Sequence, residues 1–276
     1  MDKRSIGVFD SGVGGISVLN RLLKLLPNEN YIYIGDTARM PYGIRSEENI
    51  KKISSDCIEF ISKENLKAAV IACNTVSSVA VDHLRDKFDF PIIEVVTPGT
   101  VDATEVTKNK KIALIATDVT VNSGVYEKYI GMRDPQIEVR SLACPKLVLT
   151  IEAGHALDEI GAEIIEDYLK FFDDFDYDTL VFACTHFPLA RKNFKDIYER
   201  QNKEVFLVDP AYNTALELEK TLKNLDAFNE NNQGKVVFYT TSDPNRFRQL
   251  AIKYCRLSPD KISPVTVDLE KALRKK

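Results

Sequence analysis

Apolar residues along this chain fall into two kinds of run. The first is short and nearly uninterrupted: Ile6-Gly7-Val8-Phe9, Tyr31-Ile32-Tyr33-Ile34, Ala68-Ala69-Val70-Ile71 and Ile92-Ile93-Glu94-Val95. Runs that are apolar on both faces predict strands of a parallel sheet covered by helices on either side. The second kind is spaced. After Ser46, a good N-cap, Ile50, Ile53, Cys57, Phe60 and Ile61 recur at three- and four-residue intervals, which predicts an amphipathic helix lying on that sheet. Alternation of the two kinds places the chain in the α/β class.

A second series begins at Ile112-Ala113-Leu114-Ile115. It continues through Ile137-Glu138-Val139, Thr179-Leu180-Val181-Phe182 and Val205-Phe206-Leu207-Val208. The two series superimpose at a nearly constant offset: 106 residues from Ile6 to Ile112, 111 from Cys73 to Cys184, and 112 from Pro98 to Pro210. So long a period predicts two similar, doubly wound α/β units. Beyond them, Val236-Val237-Phe238-Tyr239 predicts one more strand and Asp243-Pro244 the start of a helix. Asn229–Gly234 is a polar turn before that strand. Returning this tail to the first unit makes the two comparable in size, so the expected domains are 1–97 plus 209–276, and 98–208.

Composition and charge exclude several classes. Of 276 residues, 44% are hydrophobic and 28% charged, the make-up of an ordinary globular protein rather than a disordered or fibrous one. A net charge of -4, from 37 basic and 41 acidic residues, argues against a nucleic-acid partner, which requires a concentrated basic face. The one basic cluster, Arg274-Lys275-Lys276, is expected to be a frayed tail. No apolar run approaches the ~18 residues that span a bilayer, and the stretch from Ile6 to Phe9 is too short for a signal peptide. Five cysteines, at 57, 73, 144, 184 and 255, include no Cys-x-x-Cys pair. Reduced thiols in the cytoplasm are therefore expected, rather than a disulfide scaffold or structural zinc.

Ligands of open α/β sheets bind beyond the carboxyl ends of the strands. The residues expected there are Asp10-Ser11, Asp36, Cys73-Asn74-Thr75, Thr117, Cys144, Cys184-Thr185-His186 and Asp209. A lone cysteine is by base rate a small buried hydrophobe; Cys57 and Cys255 read that way, and Cys144 is left open. Cys73 and Cys184 differ, because the repeat sets them at equivalent positions. Each precedes hydroxyl or amide side chains and an expected helix start, near Thr75 and at Phe187-Pro188. If the units face each other, the thiols do too, across a cleft whose helix N-termini favour a thiolate and bind a carboxylate.

Two opposed thiols suit one reaction. The first takes a proton from a carbon beside a carboxylate, the second returns a proton to the opposite face, and the configuration inverts. The carbon acid is weak, so the cleft must stabilise a carbanion with fixed donors and exclude water. Asp10 and His186 are the expected auxiliary acid–bases, one for each thiol.

Gly12-Val13-Gly14-Gly15-Ile16-Ser17 offers a different reading. It follows a strand, opens a helix, and has Asp36 lying 22 residues beyond Gly14, which mimics a dinucleotide fingerprint with its ribose-binding acid. Ser17 stands where that fingerprint has Gly or Ala, and the same glycines equally let backbone N–H groups approach a carboxylate. An NAD-dependent oxidoreductase is thus the alternative from another class, and a two-lobed, non-catalytic amino-acid-binding protein is the third. No strand-end lysine offers a Schiff base to pyridoxal phosphate. Three histidines (83, 155, 186) without paired spacing leave Cys184, His186 and Glu152 a poor metal set.

The residues now assembled resemble those of the bacterial glutamate racemase family. The segments are Val8-Phe9-Asp10-Ser11-Gly12-Val13-Gly14-Gly15, Gly35-Asp36-Thr37-Ala38-Arg39-Met40-Pro41-Tyr42-Gly43 and Ala72-Cys73-Asn74-Thr75. Cys144-Pro145-Lys146-Leu147-Val148 with Glu152 and Gly154, Cys184-Thr185-His186-Phe187-Pro188-Leu189, and Tyr239–Pro244 with Phe247 complete them. The resemblance runs the length of the chain. It implies two α/β domains related by a pseudo-two-fold with the active site in the cleft between them. It also implies cofactor-independent interconversion of L- and D-glutamate for peptidoglycan, glutamate as the small-molecule substrate, and a homodimer.

By motif, the resemblance makes Cys73 and Cys184 the acid/base thiols, Asp10 the assistant of Cys73, and His186 and Glu152 those of Cys184. Asp10, Ser11, Tyr42, Gly43, Asn74, Thr75, Thr185 and His186 are the implied substrate-binding residues, with Thr117 and Thr120 as further candidates for the carboxylate. Departures are small: Phe187 replaces a more usual Tyr, and Phe182-Ala183 replaces Leu-Gly before Cys184. The first strand begins within six residues of Met1, so regulation through the N-terminal extension of some members is not expected. His186 after Cys-Thr favours glutamate over aspartate, whose racemases more often carry Glu there.

Overall fold

The computed structural model describes residues 1–230 and 234–274. Positions 231–233 of the turn expected at Asn229–Gly234, and Lys275 and Lys276 of the basic terminus, lie outside the described residues. The first series forms β1 (Ile6–Asp10), β2 (Tyr31–Gly35), β3 (Ala68–Ile71) and β4 (Ile92–Glu94). The second forms β5 (Lys111–Ala116), β6 (Glu138–Ala143), β7 (Thr179–Ala183) and β8 (Phe206–Val208), and the tail adds β9 (Val236–Thr240) and β10 (Val265–Thr266).

The strands pair in two sheets, β10-β9-β2-β1-β3-β4 and β6-β5-β7-β8, with every pairing parallel. The run β2-β1-β3-β4 has the same order, strand for strand, as the whole second sheet. The tail extends the first sheet beyond β2. The junction expected at 97/98 falls in the first turn of the helix Val96–Val106, and that at 208/209 falls directly after β8.

Alternation of side chains along each strand divides its residues between two cores. On the first sheet, Ile6, Val8, Tyr31, Tyr33 and Val70 pack against the helices Ile16–Leu25 and Ala211–Asn224. Phe9, Ile32, Ile34 and Ile71 pack on the opposite face with Ile50, Ile53, Cys57 and Ile61 of the helix Glu47–Ser62. Ser46 caps that helix, accepting from the Asn49 N–H. The second sheet repeats the arrangement: Ala113, Ile115, Leu180 and Phe182 face Phe194 and Ile197, while Ile112, Leu114 and Val181 face Tyr126 and Ile130.

β8 starts one residue after the run at Val205, and three further details depart from the sequence pattern, each for a local reason. β6 starts one residue late, at Glu138, and runs on to Ala143 as a half-exposed edge strand, so its residues need not be continuously apolar. β4 stops at Glu94 because its carboxylate turns back to accept from the N–H groups of Val96 and Thr97, starting the next helix. β10 and the final helix Leu269–Arg274 carry too few residues to leave a periodic signature.

One ion pair is buried in this framework. Lys67 Nζ lies 2.5 Å from Glu29 Oε2, with 0% and 2% of the side chains exposed. The ammonium also donates to the carbonyls of Asp2 and Ala227, at 2.8 and 2.7 Å, and Glu29 Oε1 accepts from the Asn229 N–H at 2.9 Å. The pair thereby fastens the amino terminus, the approach to β2, the start of β3 and the segment after the helix Ala211–Asn224.

Candidate active site

The site forms where β1 and β3 of one sheet and β5 and β7 of the other end against each other. Hydrogen bonds cross between the units there. Thr185 Oγ1 donates to Asp10 Oδ1 (3.1 Å), the Val13 N–H to Glu152 Oε1 (3.2 Å), and Tyr126 Oη to Asn74 Oδ1 (2.6 Å). The hydroxyls of Thr75 and Thr117 are 2.9 Å apart, and Thr120 extends that chain at 3.1 Å from Thr117. Above this floor lies a cavity of about 120 Å³, well below the ~300–1,000 Å³ of pockets for drug-sized ligands. Its occupant is small.

Of the residues expected from sequence, Ser11, Tyr42, Gly43, Cys73, Asn74, Thr75, Thr117, Cys184, Thr185 and His186 line this cavity. Asp10, Glu152 and Thr120 stand one layer back, each hydrogen-bonded to a lining residue. Tyr42 faces the cavity with its ring, because its hydroxyl donates to Asp36. Cys144 is fully buried, with its sulfur toward the Leu142 carbonyl, and Cys57 is sealed in the first core. Cys255 ends the helix Pro244–Tyr254, away from the cavity.

The two cavity thiols have different surroundings. Cys73 follows β3, and its Sγ lies 3.7 Å from Ser11 Oγ. Burial, reinforced by the charge of Asp10, pushes this thiol up to about 12, so it holds its proton at neutral pH. Asp10 has no solvent exposure, and its Oδ2 accepts from the Gly12 N–H at 3.0 Å. Burial raises its own carboxyl pKa against the pull of His186 and of those hydrogen bonds.

Cys184 Sγ instead lies 3.6 Å from His186 Nδ1, and His186 Nε2 lies 2.7 Å from Glu152 Oε1. Burial opposes a charge on His186, yet the hydrogen bonds to Cys184 and Glu152 outweigh it and hold the ring well above the ordinary histidine range. Burial likewise opposes the Glu152 charge, and the His186 contact outweighs it to hold that carboxyl below its usual range. One thiol therefore has a buried carboxylate for a neighbour, the other an imidazole–carboxylate relay.

The glycine-rich loop serves this relay. A Cβ on Gly12 would come within 2.5 Å of Glu152 Oε1, and one on Gly14 within 2.7 Å of His186 Nδ1. The first unit can approach the His–Glu pair of the second only because both positions lack side chains. The same closeness removes the dinucleotide reading, since Thr185 and His186 occupy the space beside Gly14 that a pyrophosphate would need. Asp36 is also committed, accepting from Arg39 Nε at 2.6 Å, Thr241 Oγ1 at 2.7 Å and the Tyr42 hydroxyl.

Several participants were given no role from sequence, although some stand in the quoted segments. Arg39 ties Asp36 to Asp56 and to the Ile53 carbonyl, fixing the segment that carries Tyr42 and Gly43. Tyr126, which orients Asn74, sits inside a helix with no local signal. Met40, Pro41, Ile44, Asp118, Pro145, Val148 and Leu149 complete the cavity wall.

Replacing Glu152 by Gln is expected to lower the protonation midpoint of the His186 ring, which a pH series of histidine ring NMR signals would follow. In the wild type the ring should stay protonated well past the free value of about 6.5. A raised histidine pKa means that its contribution to stability is complete below 6.5 and fades as pH rises through the folded value. The depressed Glu152 value contributes above 4.5 and fades as pH falls through its folded value. An unchanged midpoint in Glu152→Gln would show that the carboxylate does not hold the proton on the ring.

The family model described as Asp/Glu/Hydantoin racemase matches residues 6–214. The chain is similar to the curated glutamate racemase of Thermoanaerobacter pseudethanolicus, with 42% identity over 272 residues, 98% of this chain and 100% of that relative. Among solved structures it is similar to a glutamate racemase isoform from Bacillus anthracis, at 34% identity and a TM-score of 0.89, covering 98% of this chain and 99% of that one. The glutamate racemase of Francisella tularensis in complex with D-glutamate is likewise similar, at 32% identity and a TM-score of 0.88 over 98% of this chain and 100% of that one.

Proposed function

Because the chain belongs to the Asp/Glu/Hydantoin racemase family, we propose that it is an isomerase that interconverts L- and D-glutamate and supplies the D-enantiomer for peptidoglycan. The observation that carries this reading is that Cys73 and Cys184, from equivalent places in two matching sheets, open on one small cavity. In one direction Cys184 takes the α-proton, with His186 and Glu152 as its relay, and the protonated Cys73 delivers a proton to the opposite face. In the other direction the roles exchange, with Asp10 beside Cys73 as the neighbouring acid–base. Both protons reside on the chain's own thiols, so the reaction as written uses no cofactor.

The carboxylate of the substrate is assigned to the polar rim of Ser11, Asn74, Thr75 and Thr185, with the Thr117–Thr120 hydroxyl chain behind Thr75. Fixed donors in a dry cavity stabilise developing carbanion charge far better than water does. Tyr42 and Gly43 form the opposing wall. Gly43 is required there because a Cβ would meet Thr117 Cβ at 2.6 Å. Domains of 1–97 plus 209–276 and 98–208 would place one thiol on each side of the cleft.

Ile44 and Leu149, exposed at the cavity mouth, give a second copy an apolar surface to cover, in keeping with a homodimer; light scattering after gel filtration measures this directly. Among the described residues no helix is long and apolar enough to cross a membrane. Five free cysteines suit the reducing cytoplasm.

The deciding experiment is proton NMR of the protein with L-glutamate in D2O, with no cofactor added. Loss of the α-proton signal together with a growing D-glutamate fraction is expected, and the same from D-glutamate. Exchange with aspartate but not glutamate would keep the chemistry and change the substrate. No exchange with either would remove the racemase reading.

A further inference from the structure

We propose that a second cavity, behind the active site, is a proton inlet that connects Cys184 alone to solvent. The proposal rests on the racemase reading and concerns the route by which the thiol protons are renewed. A cavity of about 180 Å³ lies on the far side of Glu152 from the substrate cavity, walled by Thr37, Met40, Ser242, Asp243, Arg246 and Phe247. Ser242, Asp243 and Arg246 are exposed, so the cavity opens outward, while Glu152 forms part of its inner wall. At ~30 Å³ per water in the liquid, it has room for a few, and its hydroxyl, carboxylate and guanidinium groups give them partners.

The connection inward is continuous. Glu152 meets His186 at 2.7 Å and His186 meets Cys184 at 3.6 Å. Exposure falls along this line, from 12% for the Glu152 side chain to 3% for His186. Arg246 fixes the outer end by donating to the Glu152 carbonyl at 2.8 Å. Among the described residues Cys73 has no such line to a second cavity: its hydroxyl neighbour Ser11, at 3.7 Å, opens on the substrate cavity itself. Its acidic neighbour Asp10 is 0% exposed, lines none of the cavities described, and is closed in by Gly12, Gly15 and Thr185.

The consequence is an asymmetry in proton bookkeeping between the two faces. When Cys184 breaks the substrate C–H bond, the proton sits on sulfur. With the thiolate charge gone, which had helped hold the second proton on the ring, the neutral ring protonated at Nε2 can take this proton at Nδ1 while the Nε2 proton moves to Glu152 and on to water, and a solvent proton can return by the same route. If the carbanion is then reprotonated from Cys184, the substrate is recovered with its configuration unchanged and a solvent proton at the α-carbon. Cys73 would return the proton it took.

The test follows each enantiomer in D2O at low conversion and measures deuterium in the recovered, uninverted substrate. One enantiomer should gain deuterium and the other should gain almost none. Ser242→Leu, which places an apolar side chain in the mouth, is expected to cut that gain about tenfold relative to turnover, a barrier change of about 1.4 kcal/mol. Ser242→Ala should leave it intact. Arg246→Met, which removes the charge from the wall, should act in the same direction as Ser242→Leu. Equal deuterium gain in both recovered pools, or unchanged gain in folded Ser242→Leu and Arg246→Met proteins, would overturn the inlet while racemisation persisted. No α-deuteration and no inversion in the wild type would instead overturn the racemase reading beneath it.

Discussion

Cys73→Ala and Cys184→Ala are each expected to lower glutamate racemisation by about 10³-fold or more, within the 10²–10⁴ that a positioned acid or base contributes. The two losses should differ in what survives. With Cys73 removed, Cys184 and its relay remain, so the enantiomer presented to Cys184 should still exchange its α-proton with solvent without inverting. With Cys184 removed, the remaining thiol is Cys73, pushed up to about 12 by burial and the charge of Asp10, and its exchange should be slower. Cys255→Ala, away from the cavity, serves as the control and should turn over at nearly the wild-type rate. A chiral assay combined with α-proton NMR reads both quantities. Near-normal inversion in either active-site variant would defeat the two-thiol scheme.

The largest expected loss of stability lies elsewhere, at Lys67. Lys67→Met leaves the Glu29 carboxylate buried without its cation, a defect that costs ~3–5 kcal/mol. The change is well removed from the cavity, so kcat of the fraction still folded should change little while the urea midpoint falls. The double variant Glu29→Gln with Lys67→Met removes both charges and keeps an acceptor for the Asn229 N–H. It should recover much of the loss, because a buried pair often contributes little net stability over neutral replacements. A double variant as unstable as Lys67→Met would mean that the ammonium matters through its contacts with the Asp2 and Ala227 carbonyls.

Much of the arrangement was legible in the chain because it rests on local patterns. Uninterrupted apolar runs mark strands covered on both faces, and β1, β2, β3 and β7 are buried at every position. Strand ends, once located, point to the cleft, which is why Asp10, Cys73 and Cys184 could be picked out by position. Long-range pairing was less accessible. Nothing near Glu152 in sequence says that its carboxylate meets His186 and the Val13 N–H; it entered through family likeness. Tyr126 and Arg246 were missed because each acts through a partner more than a dozen residues away, and Arg39, though it stands in a quoted segment, was given no role because its reach to Asp56 leaves no local mark. The extension of β6 to Ala143 went unread because an edge strand need not be apolar.

The matching strand orders of the two sheets have a consequence for stereochemistry. A planar carbanion presents two faces, and a half-turn about an axis lying in its plane exchanges them. A protein made of two copies of one arrangement, facing across the substrate, supplies a donor to each face by the same operation. Which enantiomer meets which thiol, and how each direction divides between binding and turnover, then depends on whatever the copies do not share. Here that is the company kept by each sulfur, an imidazole and carboxylate on one side and a lone sealed carboxylate on the other. Mirror-image substrates are equal in free energy, so kcat/KM must be the same in both directions, and the places where the two halves have diverged can show only in how kcat and KM differ separately.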